Sequence, residues 1–66
     1  MEMIPVRSSA IRAVGYDAAN LRMRILFTEG RSYDFCRVPA HVYNGLMSAP
    51  SMGGYYNNFI KDRYRC

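Results

Sequence analysis

Between Leu21 and Phe27 the chain alternates. Leu21, Met23, Ile25 and Phe27 fall on one side of an extended backbone, and Arg22, Arg24 and Leu26 on the other. A period of two is the pattern of a half-buried β-strand, because successive side chains point to opposite faces of a sheet. Such a strand needs paired neighbours and a cover for its apolar face. Thr28-Glu29-Gly30 and then Arg31 to Val38 supply the first neighbour. A three-residue loop with Gly30 in the left-handed position predicts a bulged hairpin turn. It sets Ile25 opposite Tyr33 and Met23 opposite Phe35 on the apolar face, and Arg24 opposite Asp34 on the polar one. A two-residue Glu29-Gly30 turn would instead set Asp34 opposite Ile25.

An earlier strand is expected from about Ile11 to Tyr16, where Ile11, Val14 and Tyr16 are strand formers. Ile11 and Val14 lie three apart, which breaks alternation, and a bulge near Gly15 is expected to reconcile them. Asp17 to Asn20 reads as the connecting turn, with Asp and Asn able to close onto backbone N–H groups. Ile4 to Arg7 reads as a short extra strand, which Pro5 confines to an edge.

The period changes after Pro39, which suits the first position of a helix. Val42, Tyr43, Leu46 and Met47 recur at helical spacing, and Pro50 stops the run. Gly45 weakens that helix by about 1 kcal/mol relative to Ala and permits close packing. Ser51 is positioned to cap a second helix with Tyr55, Tyr56, Phe59 and Ile60 on its apolar side. The expected fold is α+β: an antiparallel meander of three to four strands, then two short C-terminal helices packed on one face. It forms a single domain over residues 1–66, with its core at about 8–64.

With 66 residues there is room for one thin core and little room for a buried catalytic cavity. No run approaches the roughly 18 apolar residues of a membrane span, and Met1 to Pro5 has no export-signal pattern. Cys36 and Cys66 lie far apart and outside any CxxC pair, so two reduced thiols in the cytoplasm are expected. With His41 they make three candidate metal ligands where a zinc site takes about four, so no metal or other cofactor is expected. His41 has no carboxylate near it in sequence, and no phosphate-binding glycine motif occurs. The chain therefore reads as a protein that is not an enzyme.

The net charge is +4, and eight of the nine cations are arginine. Arginine offers a planar fork for phosphates and stacks on aromatic rings. Arg24 is cancelled by Asp34 in the proposed register. The densest basic and aromatic cluster is Lys61, Arg63, Tyr64 and Arg65. Cations interleaved with tyrosine are what a single-stranded nucleic-acid surface uses, for phosphates and bases respectively. Of Tyr55 and Tyr56, adjacent in a helix, only one can point fully inward.

The order of motifs resembles a known family. It runs from Ser8-Ser9 and Ile11 through Val14-Gly15-Tyr16-Asp17, Leu21 to Phe27, Gly30, Tyr33-Asp34-Phe35 and Val38-Pro39. It continues with Val42-Tyr43, Leu46, Ala49, Ser51, Gly53-Gly54, Tyr55-Tyr56-Asn57, Ile60 and Tyr64. This is similar to the KTSC domain, a small module found at the C-terminus of some lysyl-tRNA synthetases and as a free-standing protein of bacteria and their phages. The resemblance covers Ser8 to Tyr64. The family's central YxY stands here as Tyr33-Asp34-Phe35, one hydroxyl short. The family's role is unknown, with RNA binding proposed for it, and the resemblance carries over no catalytic residue.

Tyr16, Tyr33, Phe35, Val38, Val42 and Leu46 read as core, and Gly15, Gly30 and Gly53 as bends. A nucleic-acid site is then expected at Arg7, Arg12, Asn57, Lys61, Arg63, Tyr64 and Arg65. The alternative partner is a host protein, which a small phage- or bacterium-encoded adaptor would bind and modulate. In either case a monomer or weak dimer away from membranes is expected.

Overall fold

A computed structural model describes all residues from Met1 to Cys66. Four antiparallel strands follow one another in sheet order: β1 (Met3–Pro5), β2 (Ile11–Asp17), β3 (Arg22–Phe27) and β4 (Ser32–Phe35). Two helices follow. α1 spans Ala40–Ser48, and α2 spans Met52–Tyr55 and runs on into a wider π turn over Tyr56–Ile60. The α+β meander with its two C-terminal helices is the expected fold.

The β3–β4 register is the expected one, with Ile25 opposite Tyr33, Met23 opposite Phe35 and Arg24 opposite Asp34. Gly30 closes the turn at φ 105°, a conformation that L side chains rarely adopt. Asp17 Oδ1 accepts the Ala19 N–H at 3.1 Å and so closes the β2–β3 turn. Strand β1 pairs only with β2, which leaves Pro5 on an edge, where its missing N–H costs least. The helices cover one face of the sheet. Ile11, Val14, Met23, Ile25 and Phe35 meet Val38, Val42, Leu46, Met52 and Ile60 in a single core.

Two hydrogen bonds tie the β2–β3 end of the sheet to the residues that lead into α1. The Tyr16 hydroxyl donates to the Val38 carbonyl at 2.6 Å. The Val38 N–H donates to the Leu21 carbonyl at 2.7 Å. Tyr16 also stacks on Tyr43 of α1, with centroids 4.7 Å apart and planes 9° from parallel. Gly45 lets the second helix approach: a Cβ there would lie 2.6 Å from Tyr55 Cζ. Ser51 caps α2, its Oγ accepting the Gly54 N–H at 3.2 Å.

Five details differ from the sequence expectation. The bulge is at Arg12, where the β2–β3 register shifts between Ile11 and Ala13. Gly15 serves another purpose. The N-terminal segment lies against it, and a Cβ would meet Met3 Sδ at 2.7 Å and Met1 Cγ at 2.8 Å. Leu21 is not in a strand. It turns at φ 55° and is exposed. Pro39 precedes α1 as its N-cap, with extended backbone, and its carbonyl accepts the Val42 N–H.

Tyr33 and Phe59 are not core residues: they are 44% and 53% exposed. Tyr33 sits on an edge strand, where Phe27 touches its ring edge-on at 5.7 Å. Phe59 is displaced by the π turn, in which the Lys61 N–H reaches back five residues to Tyr56 O at 2.8 Å. A wider turn takes more residues per revolution, so Ile60 stays on the inner face and Phe59 swings out.

The fifth difference concerns the cysteines. Cys36 and Cys66 are joined in a disulfide, with Cα atoms 4.8 Å apart. The tail turns back along β4, and the Cys36 N–H donates to Tyr64 O at 2.9 Å. That places the two sulfurs together across a sequence separation of 30. The expectation of two free thiols is thereby overturned, and the cytoplasmic reading loses one of its two premises. No helix is long and apolar enough to cross a membrane.

Candidate nucleic-acid interface

The tail cations are positioned by the end of the π turn. Asp62 takes a left-handed conformation at φ 63°, and the Arg63 N–H bonds back to Ile60 O at 3.0 Å. The chain is thus bent from the helix onto the β4 edge. Arg65 then folds back on Asp62, with Nη2 to Oδ1 at 2.8 Å. This hydrogen bond holds the Asp62 carboxyl below its ordinary range and raises the Arg65 guanidinium. Both groups are exposed, so water screens the pair.

Two depressions flank the aromatic pair Tyr33 and Tyr56. One, of about 310 Å³, is completed by Phe27, Glu29 and Lys61. The other, of about 270 Å³, is completed by Asp34, Phe35, Asp62, Arg65 and Cys66. Tyr56 is half-buried, with its ring edge-on to Phe27 at 5.0 Å and to Phe35 at 6.0 Å. Burial pushes its hydroxyl pKa up, and nearby Asp62 adds to that. Arg31 adjoins the Tyr33 hydroxyl, which with Glu29 raises its guanidinium. On the outer face of the sheet Arg24 grips Asp34 with two bonds, at 2.6 and 3.1 Å. That grip holds the Asp34 carboxyl below its ordinary range.

The expected site residues therefore divide. Lys61 and Arg65 lie on either side of Tyr33 and Tyr56. Arg63 and Asn57 are exposed on the adjoining turn. Tyr64 is half-buried and packs against the core, so its ring is not free to stack. Arg12 sits on the bulge and reaches the Thr28 carbonyl at 3.4 Å. Arg7 lines a separate groove of about 530 Å³ between the Val6–Ser9 segment and the α1–α2 connection. No depression holds both Arg7 or Arg12 and a tail cation.

Tyr33 and Arg31 are the surface residues that sequence reasoning missed; of the Tyr55–Tyr56 pair, whose outward ring is a stacking candidate by sequence, both rings are half-buried and it is Tyr56 that adjoins Tyr33. The available signal was the position of Tyr33, next to a hairpin turn on the last strand. A ring on an edge strand has a neighbouring strand on one side only, which leaves Tyr33 44% exposed.

His41 is exposed on α1. No three His, Cys, Asp or Glu side chains come together as a metal-ligand set.

Comparison with known proteins places the fold among its relatives. Residues 7–64 match the family model of the KTSC domain. A protein of Tsukamurella paurometabola is 43% identical over 63 residues, covering 96% of this chain and 94% of that one. A lysine–tRNA ligase of Nostoc punctiforme is 30% identical over 63 residues. The match covers 96% of this chain but only 11% of the ligase. The crystal structure of a KTSC domain protein from Yersinia pestis superposes with a TM-score of 0.92 at 35% identity, covering 96% of this chain and 89% of that one.

Proposed function

This chain belongs to the KTSC domain family, and on that premise we propose that it is a non-catalytic module that binds single-stranded RNA or a related nucleic acid. The observation that carries this reading is the exposed Tyr33 ring with Arg31, Lys61 and Arg65 around it. An exposed ring offers a stacking platform to any base, and flanking cations take the phosphates. The occurrence of a similar segment in a lysine–tRNA ligase agrees with a ligand of this kind.

The acids also set the strength. Glu29, Asp34 and Asp62 line the same two depressions and offset part of the charge. Binding is therefore weak and only moderately salt-dependent. The test is fluorescence anisotropy of a labelled single-stranded oligoribonucleotide over a salt series. The expected slope of log K against log salt is about −1.4 to −2.1, corresponding to two or three neutralised phosphates. Absence of binding at low salt sinks the reading.

A second reading, a protein–protein adaptor, has its own observation. Exposed Phe59 lies with Ala49, Pro50 and Tyr55 around an apolar depression of about 300 Å³. A pull-down from lysate with and without nuclease separates the two, since only a protein partner survives the nuclease.

A further inference from the structure

We propose that the Cys36–Cys66 pair is a thiol–disulfide exchange site, open to small anionic thiols of the glutathione class through Cys66. Its reduction would release Asp62–Cys66 from the β4 edge. This goes beyond the nucleic-acid reading and does not depend on it.

The two cysteine residues are not equally exposed. Cys36 is 9% exposed, whereas Cys66 is exposed. A disulfide is opened by a thiolate that approaches one sulfur in line with the other, so access decides which is attacked. Cys66 Sγ lies 3.7 Å from the Asp34 carbonyl, at the rim of the depression it shares with Tyr33 and Arg65. An incoming thiol therefore meets Cys66 first.

Charge favours the same direction. Arg37 follows Cys36, and Arg63 and Arg65 precede Cys66. The acidic side chains nearest in the fold are engaged: Asp34 is held by Arg24 and Asp62 by Arg65, so of the nearby acids only the α-carboxylate of Cys66 itself opposes the cations. Arg37 and Arg63 enter no ion pair. Cations near a sulfur stabilise the departing thiolate and draw in an anionic attacker.

The step balances as follows. A thiolate attacks Cys66 Sγ, the S–S bond breaks, and its electron pair leaves on Cys36 Sγ, which takes a proton from water. A second thiolate attacks the small-thiol sulfur of the mixed disulfide. That releases Cys66 as a thiol and the small thiol as its own disulfide. In sum, one protein disulfide and two thiols give two protein thiols and one small disulfide.

Reduction matters because little else holds the tail. From Asp62 onward the segment joins the sheet through the Cys36–Tyr64 backbone bond and the half-buried Tyr64 ring. The Asp62–Arg65 pair is internal to the tail and ties it to nothing.

The test uses the full oxidised chain under native conditions. It is incubated with reduced glutathione or with cysteamine, a cationic thiol, at low and high salt. Products are trapped by alkylation and read by mass spectrometry, and amide hydrogen exchange is measured on the oxidised and reduced forms. Glutathione is expected to open the bond without denaturant, to form its mixed disulfide on Cys66, and to slow as salt rises. Cysteamine should speed up with salt. The Cys36 amide should exchange at least about tenfold faster after reduction, while the β2–β3 ladder keeps its protection.

Cys66→Ser, without reductant, should show the same exchange pattern as the reduced wild type. A bond that yields only after unfolding, a mixed disulfide on Cys36, or an unchanged Cys36 amide would each overturn the proposal. So would loss of protection across the ladder, since the disulfide would then be a staple for the whole fold.

Discussion

The Tyr16 hydroxyl donates to the Val38 carbonyl at 2.6 Å, linking two residues 22 positions apart. The same Val38 gives its N–H to Leu21 O, and Tyr16 stacks on Tyr43. The end of β2 and the start of α1 are thereby held by both polar groups of one peptide residue and by one ring pair. Tyr16, Val38 and Tyr43 serve this joint, which gives each of them a structural role without any ligand.

Removing the Tyr16 hydroxyl should therefore cost more than an average hydrogen bond. Tyr16→Phe keeps the stack and leaves the Val38 carbonyl short of a partner at a part-buried site, at about 1–3 kcal/mol. The expected fall in Tm is roughly 7–20 °C for a domain of this size, read by circular dichroism. Tyr16→Leu should fall further, because the stacked ring is lost as well.

Gly45→Ala tests whether space or helix propensity wins in α1. Propensity alone would stabilise by about 1 kcal/mol. The added methyl, however, meets the Tyr55 ring and hydroxyl. Overpacking of that kind costs about 1–3 kcal/mol, so net destabilisation is expected in urea titrations. The double variant Gly45→Ala with Tyr55→Leu should recover most of the loss, as a double-mutant cycle would show.

The Arg24–Asp34 pair makes a small, pH-dependent contribution. The folded state holds the Asp34 carboxyl below its ordinary value of 3.8, mainly through the Arg24 hydrogen bond. A lowered carboxyl stabilises above its unfolded pKa, and that stability fades as pH falls through the lower folded value. The advantage of wild type over Asp34→Asn should thus hold at neutral pH and shrink below about pH 4. Both groups are half-exposed, so the difference is small and decreases with salt.

The nucleic-acid reading separates two arginine-bearing surfaces. Tyr33→Ala should weaken binding of the oligoribonucleotide by about 1–3 kcal/mol, the loss of one stacked base. Lys61→Ala should lower the salt slope by about 0.7. Arg7→Ala, in the separate groove, should leave both affinity and slope unchanged. Equal loss from Arg7→Ala would place the ligand elsewhere.

What could be read from the sequence was local. The β3–β4 register follows from alternation, Gly30 and the Arg24–Asp34 pairing, all within a dozen residues. The spacing of Ile11 and Val14 required a bulge, but not its position. The glycine that suggested one answers to Met1 and Met3, brought over it by β1. Alternation gives the side on which Tyr33 points, but not its depth, which depends on where the helices end. Phe59 was misplaced because helical periodicity assumes a constant turn. Of the expected site residues, clustering along the tail picked out Lys61 and Arg65, which the fold brings beside Tyr33 and Tyr56. Arg7 was grouped with them by charge alone, and the rings beside them come from another strand and helix. Two cysteines 30 positions apart carry no sign of a tail that returns to its own sheet.

The π turn also affects how the chain tolerates insertions and deletions. Between Tyr56 and Lys61 the helix holds one residue more than an α turn requires. Loss of Asn57 or Asn58, both exposed, would restore the ordinary repeat while keeping Ile60 above the core. The same loss inside β2 or β3 would carry every later side chain of that strand to the wrong face. A change of length in this chain is thus expected to be accommodated at Tyr56–Ile60, beside the tail, and opposed in the sheet.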